Sequence, residues 1–238
     1  MLVCERPDSP LPDWVSGWCA YAGLGLVRRP TLPSSAAIWC PGAARDWEVV
    51  VADVAAATAA GGAVLINRPP VPRAGPARVV AAVQRAVDDR SVCADAAACA
   101  GQLSGSLVLL HCVPVSFAER SVGLDAAVSR GHTELANSLR TLSAAEPAVC
   151  ASTRLVRAYP HELVSEELDA DLLVVGGSRV GLSGGLGLVA LSVVRHARCP
   201  VLVVPRRPAE SDETDESDER QRSGMVTEEG ADSPRCTW

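Results

Sequence analysis

The residues best placed to do chemistry form a glycine-rich run, Gly176-Gly177-Ser178-Arg179-Val180-Gly181-Leu182-Ser183-Gly184-Gly185-Leu186-Gly187, set between an apolar pentapeptide and an apolar helical pattern. Glycines let main-chain amides approach an anion closely, and a helix leaving such a run points its positive end at the same place. The chemistry this suits is phosphate binding, although a solvated turn has the same composition. All 22 basic residues are arginine. The absence of lysine removes a phosphate-loop lysine, a Schiff-base lysine and a pyridoxal anchor from the available chemistries. The four histidines, His111, His132, His161 and His196, have no serine or carboxylate partner at a spacing that suggests a triad, and His111 and His196 read as structural. Nine cysteines (Cys4, Cys19, Cys40, Cys93, Cys99, Cys112, Cys150, Cys199 and Cys236) include no C-x-x-C pair and no histidine at metal spacing. Most sit in apolar stretches and read as reduced, structural thiols. The expectation is a protein without catalytic activity and without a metal.

The elements that must position the glycine-rich run alternate. Arg78 to Val83 is a short apolar run suited to a strand covered on both faces, and an alanine-rich helical pattern follows from Val87 to Leu103. Ser106 to Val113, ended by Pro114, is a second strand, and Leu124 to Ala144 a second helix. A third strand is expected near Val149 to Val156, and a short helix after Pro160, over His161 to Leu168. Asp171 to Val175 is a buried strand, the glycine-rich turn and a helix to Arg198 come next, and Pro200 to Val204 closes the series, with Pro205 ending the strand. Strand-helix alternation with short turns predicts an α/β fold: a doubly wound, parallel, five-stranded sheet with helices on both faces. Ligands of such sheets bind beyond the carboxyl ends of the strands, where the strand order reverses.

Either side of this region the texture changes, which divides the chain into 1–76, 77–206 and 207–238. The first part mixes prolines with four of the five tryptophans; within it Glu48 to Ala57 reads as a helix and Gly62 to Arg68 as a strand. From Arg206 to Trp238 ten acids face five arginines, a net of −5 of the chain's −6, so the rest carries about −1. The acidic stretch Ser211 to Glu219 has no apolar residue to bury and is expected to be disordered. A nearly neutral body with no basic stripe argues against nucleic acid. No run of 18 apolar residues exists and the N-terminus has charges and prolines where a leader would be apolar, so neither a membrane nor secretion is expected and the location reads as cytoplasmic. The arginine- and alanine-rich composition fits a GC-rich, bacterial coding sequence.

Three segments carry a family resemblance: Asp169 to Gly176, the glycine-rich loop, and His196 to Val204. Together they resemble the C-terminal signature of the universal stress protein family, and Val79 to Val83 with Leu107 to His111 is similar to its opening strand-helix-strand unit. The resemblance covers about 130 residues and implies the adenine nucleotide alpha hydrolase-like fold. Nucleotide-binding members hold phosphate and ribose with a loop G-x2-G-x9-G-[S/T]. Here Gly176 and Gly187 match its ends, the interval is two residues short, Arg179 replaces the second glycine and Leu188 replaces the hydroxyl residue. Where the family ends its first strand with aspartate, this chain has Gln84 and Arg85. What the resemblance implies is therefore a non-catalytic stress-response module with weak or no nucleotide binding. The alternative is an ATP sensor using Gln84, Val113, Gly176, Gly177, Ser178, Arg179 and Gly187, with ATP the one candidate cofactor.

The helix-strand pair near Glu48 and Val64 is similar to the closing unit of the same module, so residues 1–76 are expected to be either the remnant of a first copy or an unrelated extension packed on the sheet edge. The family also dimerises through its last strand. The resemblance thus implies either a homodimer through Val201 to Val204 or an internal pseudo-dimer in which the strand near Val64 takes that place.

Overall fold

The computed structural model describes residues 2–4, 15, 17, 26–28, 37–39, 47–66, 68, 74–113, 123–159, 168–180 and 185–206. All lie in the unit Met1–Arg207; Pro208–Trp238, with the expected disordered tail, and the helix expected at His161 to Leu168 fall outside them, apart from Leu168. In chain order the elements are β1 (Leu2–Cys4), β2 (Leu26–Arg28), β3 (Ala37–Trp39), α1 (Trp47–Ala59), β4 (Val64–Ile66), β5 (Arg78–Ala82), α2 (Arg90–Gln102), β6 (Ser106–Val113), α3 (Leu124–Ala145), β7 (Ala151–Arg157), β8 (Leu172–Arg179), α4 (Leu188–His196) and β9 (Val201–Arg206).

They form one sheet in the order β2-β1-β3-β4-β9-β8-β5-β6-β7. The five expected strands are the contiguous, parallel set β9-β8-β5-β6-β7. Why these strands read as unbroken apolar runs is visible in the packing. Leu172, Val174, Leu202 and Val204 face a core that also holds Val92, Cys93, Ala96 and Cys99 of α2 and Leu135 and Leu142 of α3. Their neighbours Leu173, Val175, Val201 and Val203 face the opposite core, with Val50, Val54 and Ala57 of α1 and Ala190, Val193 and Val194 of α4. Alternate residues point to opposite faces, so a strand covered on both sides must be apolar throughout. The doubly wound α/β reading holds. No helix among the described residues is long and apolar enough to cross a membrane.

Several boundaries differ from the sequence reading. The first helix of the parallel set starts at Arg90, not Val87, because Ala86 to Asp89 form a turn. β7 begins two residues late, at Ala151. Pro205 does not end the last strand, which continues to Arg206. Most consequential, Gly176, Gly177, Ser178 and Arg179 belong to β8: Gly176 pairs with Val204 and Arg179 with Arg206 across a bulge. A bulge sets extra residues on one strand against fewer on the other, and glycine accommodates it.

Four strands from the first 76 residues extend the sheet. β4 lies antiparallel on β9, with Val64 opposite Val203, Leu65 opposite Leu202 and Ile66 opposite Val201. This covers an edge that would otherwise present unpaired amides and carbonyls. Just beyond β4, the buried Arg68 guanidinium donates to the carbonyls of Val193, Val194 and Ala197, the last turn of α4. Burial lowers its pKa, and the negative end of the helix dipole compensates for the lost hydration. Replacing Arg68 by Ala strands these carbonyls in a dry site and should cost about 3 kcal/mol, while Arg68→Lys should recover only part of this because a point charge lacks the fork. Urea unfolding of the full chain measures both; a loss under about 0.5 kcal/mol, as at an ordinary surface position, would show that the end of α4 is held by other means.

Candidate functional site

β5 and β8 lie side by side, but the chain leaves β5 for α2 on one face and β8 for α4 on the other. Connections diverging from neighbouring strands leave a crevice at their carboxyl ends. Here it is a cleft of about 1170 Å³. Its lining takes Val83 and Gln84 from the end of β5, Val113 from the end of β6, Val175 and Gly176 from β8, and Gly187 and Leu188 from the start of α4.

Of the seven residues expected to form a site, Gln84, Val113, Gly176 and Gly187 share this cleft. Gln84 is exposed, Val113 is buried, and Gly187 is the N-cap residue of α4, with φ −60° and ψ 156°. The other three are directed elsewhere. A Cβ on Gly177 would lie 2.6 Å from the Thr58 side chain, so α1 packs directly on that glycine. Ser178 is buried and its N–H donates to Thr58 Oγ1 at 3.1 Å. The Thr58 hydroxyl in turn donates to the carbonyl of Val54, 2.9 Å away. Arg179 forms an exposed ion pair with Asp88 at 2.9 Å. Helix α1 thus occupies one side of the stretch expected to be an open turn.

On the cleft side, Gly176 is covered. A Cβ there would lie 2.5 Å from Arg206 Nε, which places the guanidinium against the glycine. Arg206 Nε donates to Asp89 Oδ1 at 2.8 Å, and Asp89 has no exposed surface. The other carboxylate oxygen of Asp89 accepts the main-chain N–H groups of Gln84 (2.7 Å) and Arg85 (3.1 Å). A third amide of the same turn, that of Ala86, donates to Glu134 of α3 at 2.7 Å. Asp89 is the residue bracing the cleft that sequence reasoning missed. The aspartate absent at Gln84 is in a sense supplied five positions later, but its hydrogen bonds go to the turn and to Arg206. The signal was local: an aspartate immediately before Arg90, the first residue of α2.

Helix α3 reaches the rim because Gly131 has no side chain; a Cβ there would meet Leu155 at 2.7 Å and His111 at 2.8 Å. His111 Nδ1 lies 2.9 Å from the Val83 carbonyl, so the ring braces β5 against β6. Among the described residues no cluster of three metal-ligating side chains exists. Leu188, in the place of the family's hydroxyl residue, stands 83% exposed at the cleft mouth.

The model of the universal stress protein family matches residues 77–205. No curated protein matches. Among solved structures, the chain is similar to a universal stress protein from Archaeoglobus fulgidus in complex with dAMP (20% identity, 55% of this chain and 98% of that one, TM-score 0.43). It is also similar to the universal stress protein UspA from Lactobacillus plantarum (18% identity, 56% and 99%, TM-score 0.42). A functionally unknown protein from Pseudomonas aeruginosa PAO1 covers more of it (18% identity, 94% and 86%, TM-score 0.46).

The cysteines of this region are protected. Burial pushes the Cys93 thiol up to about 12, aided by the charge of Asp89, and pushes Cys112 and Cys199 up to about 11, with Arg68 partly opposing the effect at Cys199. The thiolate is the reactive form, so at pH 8 these three should resist iodoacetamide while the exposed Cys150 reacts, as peptide mapping by mass spectrometry can show. A raised thiol pKa favours the neutral, folded form. The stability it contributes is complete below about pH 9, the ordinary value, and is lost as pH rises through 9 to about 11 and 12. Rapid labelling of Cys93 in the folded chain at pH 8 would contradict this packing.

Proposed function

Because the chain belongs to the universal stress protein family, we propose that it serves as a non-catalytic, cytoplasmic stress-response module that has given up Mg·ATP as a ligand and has internalised its own pairing partner. The observation that carries the first half is Arg206 laid over Gly176 and tied to Asp89. A triphosphate loop needs main-chain amides presented to the anion. Here one glycine lies under a guanidinium, the next lies under Thr58, and the intervening carboxylate would repel phosphate if Arg206 were drawn away. The residues therefore do not fit the triphosphate group.

Support for the second half comes from the far edge. β4 sits antiparallel on β9, the geometry a symmetry-related copy of β9 would need, since a two-fold axis pairs a strand with its own reverse. Residues 47–68 also supply Thr58 beneath the bulge and Arg68 on α4, so they engage the module at three separate places. This is what a reduced first copy retained as a fixed partner would do. The reading makes 1–76 a working part of the module rather than a separate domain.

Two measurements test the proposal. Size-exclusion chromatography with light scattering on the full chain should return the mass of one chain; a mass of two would mean that the β9 edge is not closed by β4. Calorimetry with ATP and Mg²⁺ should give no saturable heat for the native chain, and the double variant Arg206→Ala/Asp89→Asn should gain binding by about tenfold or more if the pair is what excludes phosphate. Native binding that Arg206→Ala abolishes would reverse the assignment, making Arg206 a phosphate ligand and the protein a nucleotide sensor.

A further inference from the structure

The two edges of the parallel set are treated differently. On one side β4 covers β9. On the other, β7 pairs with β6 alone, and among the described residues no strand lies beyond it. The seven pairs from Leu107 with Ala151 to Val113 with Arg157 run without a bulge, and β7 contains neither proline nor glycine. A parallel ladder engages alternate residues of each strand, so the register fixes which groups of β7 are already used. The Leu107 N–H donates to the Cys150 carbonyl at 2.9 Å. Continuing that alternation, Ser152, Arg154 and Val156 bond to β6, while the amides and carbonyls of Ala151, Thr153, Leu155 and Arg157 point outward. Ser152, Thr153, Arg154 and Arg157 are exposed. The edge is therefore an open template of main-chain donors and acceptors.

The side chains say what would lie on it. Leu155 packs against the core that holds α2 and α3, Val156 against the core that holds α1 and α4, and both remain half-buried. Neighbouring strand residues face opposite sides of the sheet, so a further strand with apolar residues opposite these two would extend both cores outward. Arg154 and Arg157 flank the pair, and β7 has no acidic residue. Among the described residues neither guanidinium has an ion-pair partner. Two arginines alone would suffice to guard an edge, but a half-buried apolar pair between them favours pairing. A second copy of β7 would bring four arginines into one ribbon, and like charges across strands are destabilising. We propose that β7 accepts an extended acidic segment of a partner protein as a further strand, with the pattern acid-apolar-apolar-acid opposite Arg154, Leu155, Val156 and Arg157. The pattern reads the same in both directions, so it serves parallel or antiparallel entry. Main-chain hydrogen bonds supply the affinity and the facing side chains the specificity. The inference concerns the edge away from β4 and stands independently of the preceding reading.

The test uses the full chain and the peptide TTEVIETT-amide carrying fluorescein at its amino end. A saturable rise in anisotropy is expected, and the analogue TTKVIKTT, with lysine in place of both acids, should bind about tenfold or more weakly. Thr153→Pro removes one outward N–H and leaves the β6 ladder intact, since proline is tolerated on an edge strand where the N–H faces solvent. It should weaken the acidic peptide by about tenfold or more. The double variant Arg154→Glu/Arg157→Glu should exchange the preference, so that the lysine peptide becomes the tighter ligand. Circular dichroism melts establish that each variant is folded; should Thr153→Pro not fold, the charge exchange decides alone. No saturation, equal binding of the two peptides, unchanged affinity in folded Thr153→Pro, or a preference that the double variant leaves as it was overturns the proposal. So does a mass of two chains that Thr153→Pro returns to one, because β7 would then pair with its own copy.

Discussion

The arrangement of the cleft depends on one buried ion, the carboxylate of Asp89. A carboxylate with no exposed surface carries a desolvation cost of several kcal/mol, and only specific partners can offset it. Asp89 has three: two main-chain amides of its own turn and the Arg206 guanidinium. Each has a structural consequence. The amide bonds fix the path from β5 into α2, which sets where Gln84 lies. The bond to Arg206 extends β9 past Pro205 and draws a long side chain across Gly176. Ser91, two residues on, donates to the Pro205 carbonyl at 2.9 Å and holds the same strand end from the α2 side. The closure of the loop is thus a by-product of solving a desolvation problem.

A second constraint comes from the opposite face. Gly177 and Ser178 can lie in a strand because α1 supplies Thr58 to cover them, and α1 is held there by β4 on one side and by apolar contacts of Val50 and Val54 on the other. The bulge that sets Gly176 and Arg179 against Val204 and Arg206 is therefore fixed from both faces at once, by Arg206 above and Thr58 below. This couples α1 to the glycine-rich stretch, a link no local sequence feature could reveal, since Thr58 and Ser178 are 120 positions apart.

Much of the scaffold was legible because its determinants are local. Doubly covered strands such as Leu172 to Val175 have to be continuous apolar runs, and the 22-residue helix Leu124–Ala145 has a long amphipathic repeat. The glycine-rich segment was misread for an equally physical reason. Glycine marks turns when only its freedom matters, but Gly176 and Gly177 are glycines because side chains from elsewhere occupy the space a Cβ would fill. Close approach and turn formation leave the same letter in the sequence. Likewise Asp89 looks like any cap residue until its burial and its partner 117 positions away are seen.

A constraint of the same kind explains why the cleft persists beside the covered Gly176. The crevice between α2 and α4 is a consequence of topology: β5 and β8 send their connections to opposite faces, and no side-chain change at the turn can remove the space between them. Arg206 laid over Gly176 therefore leaves a cavity beside it, with an apolar floor because the strands beneath it are core strands. Fold geometry keeps the opening, while single side chains decide what enters.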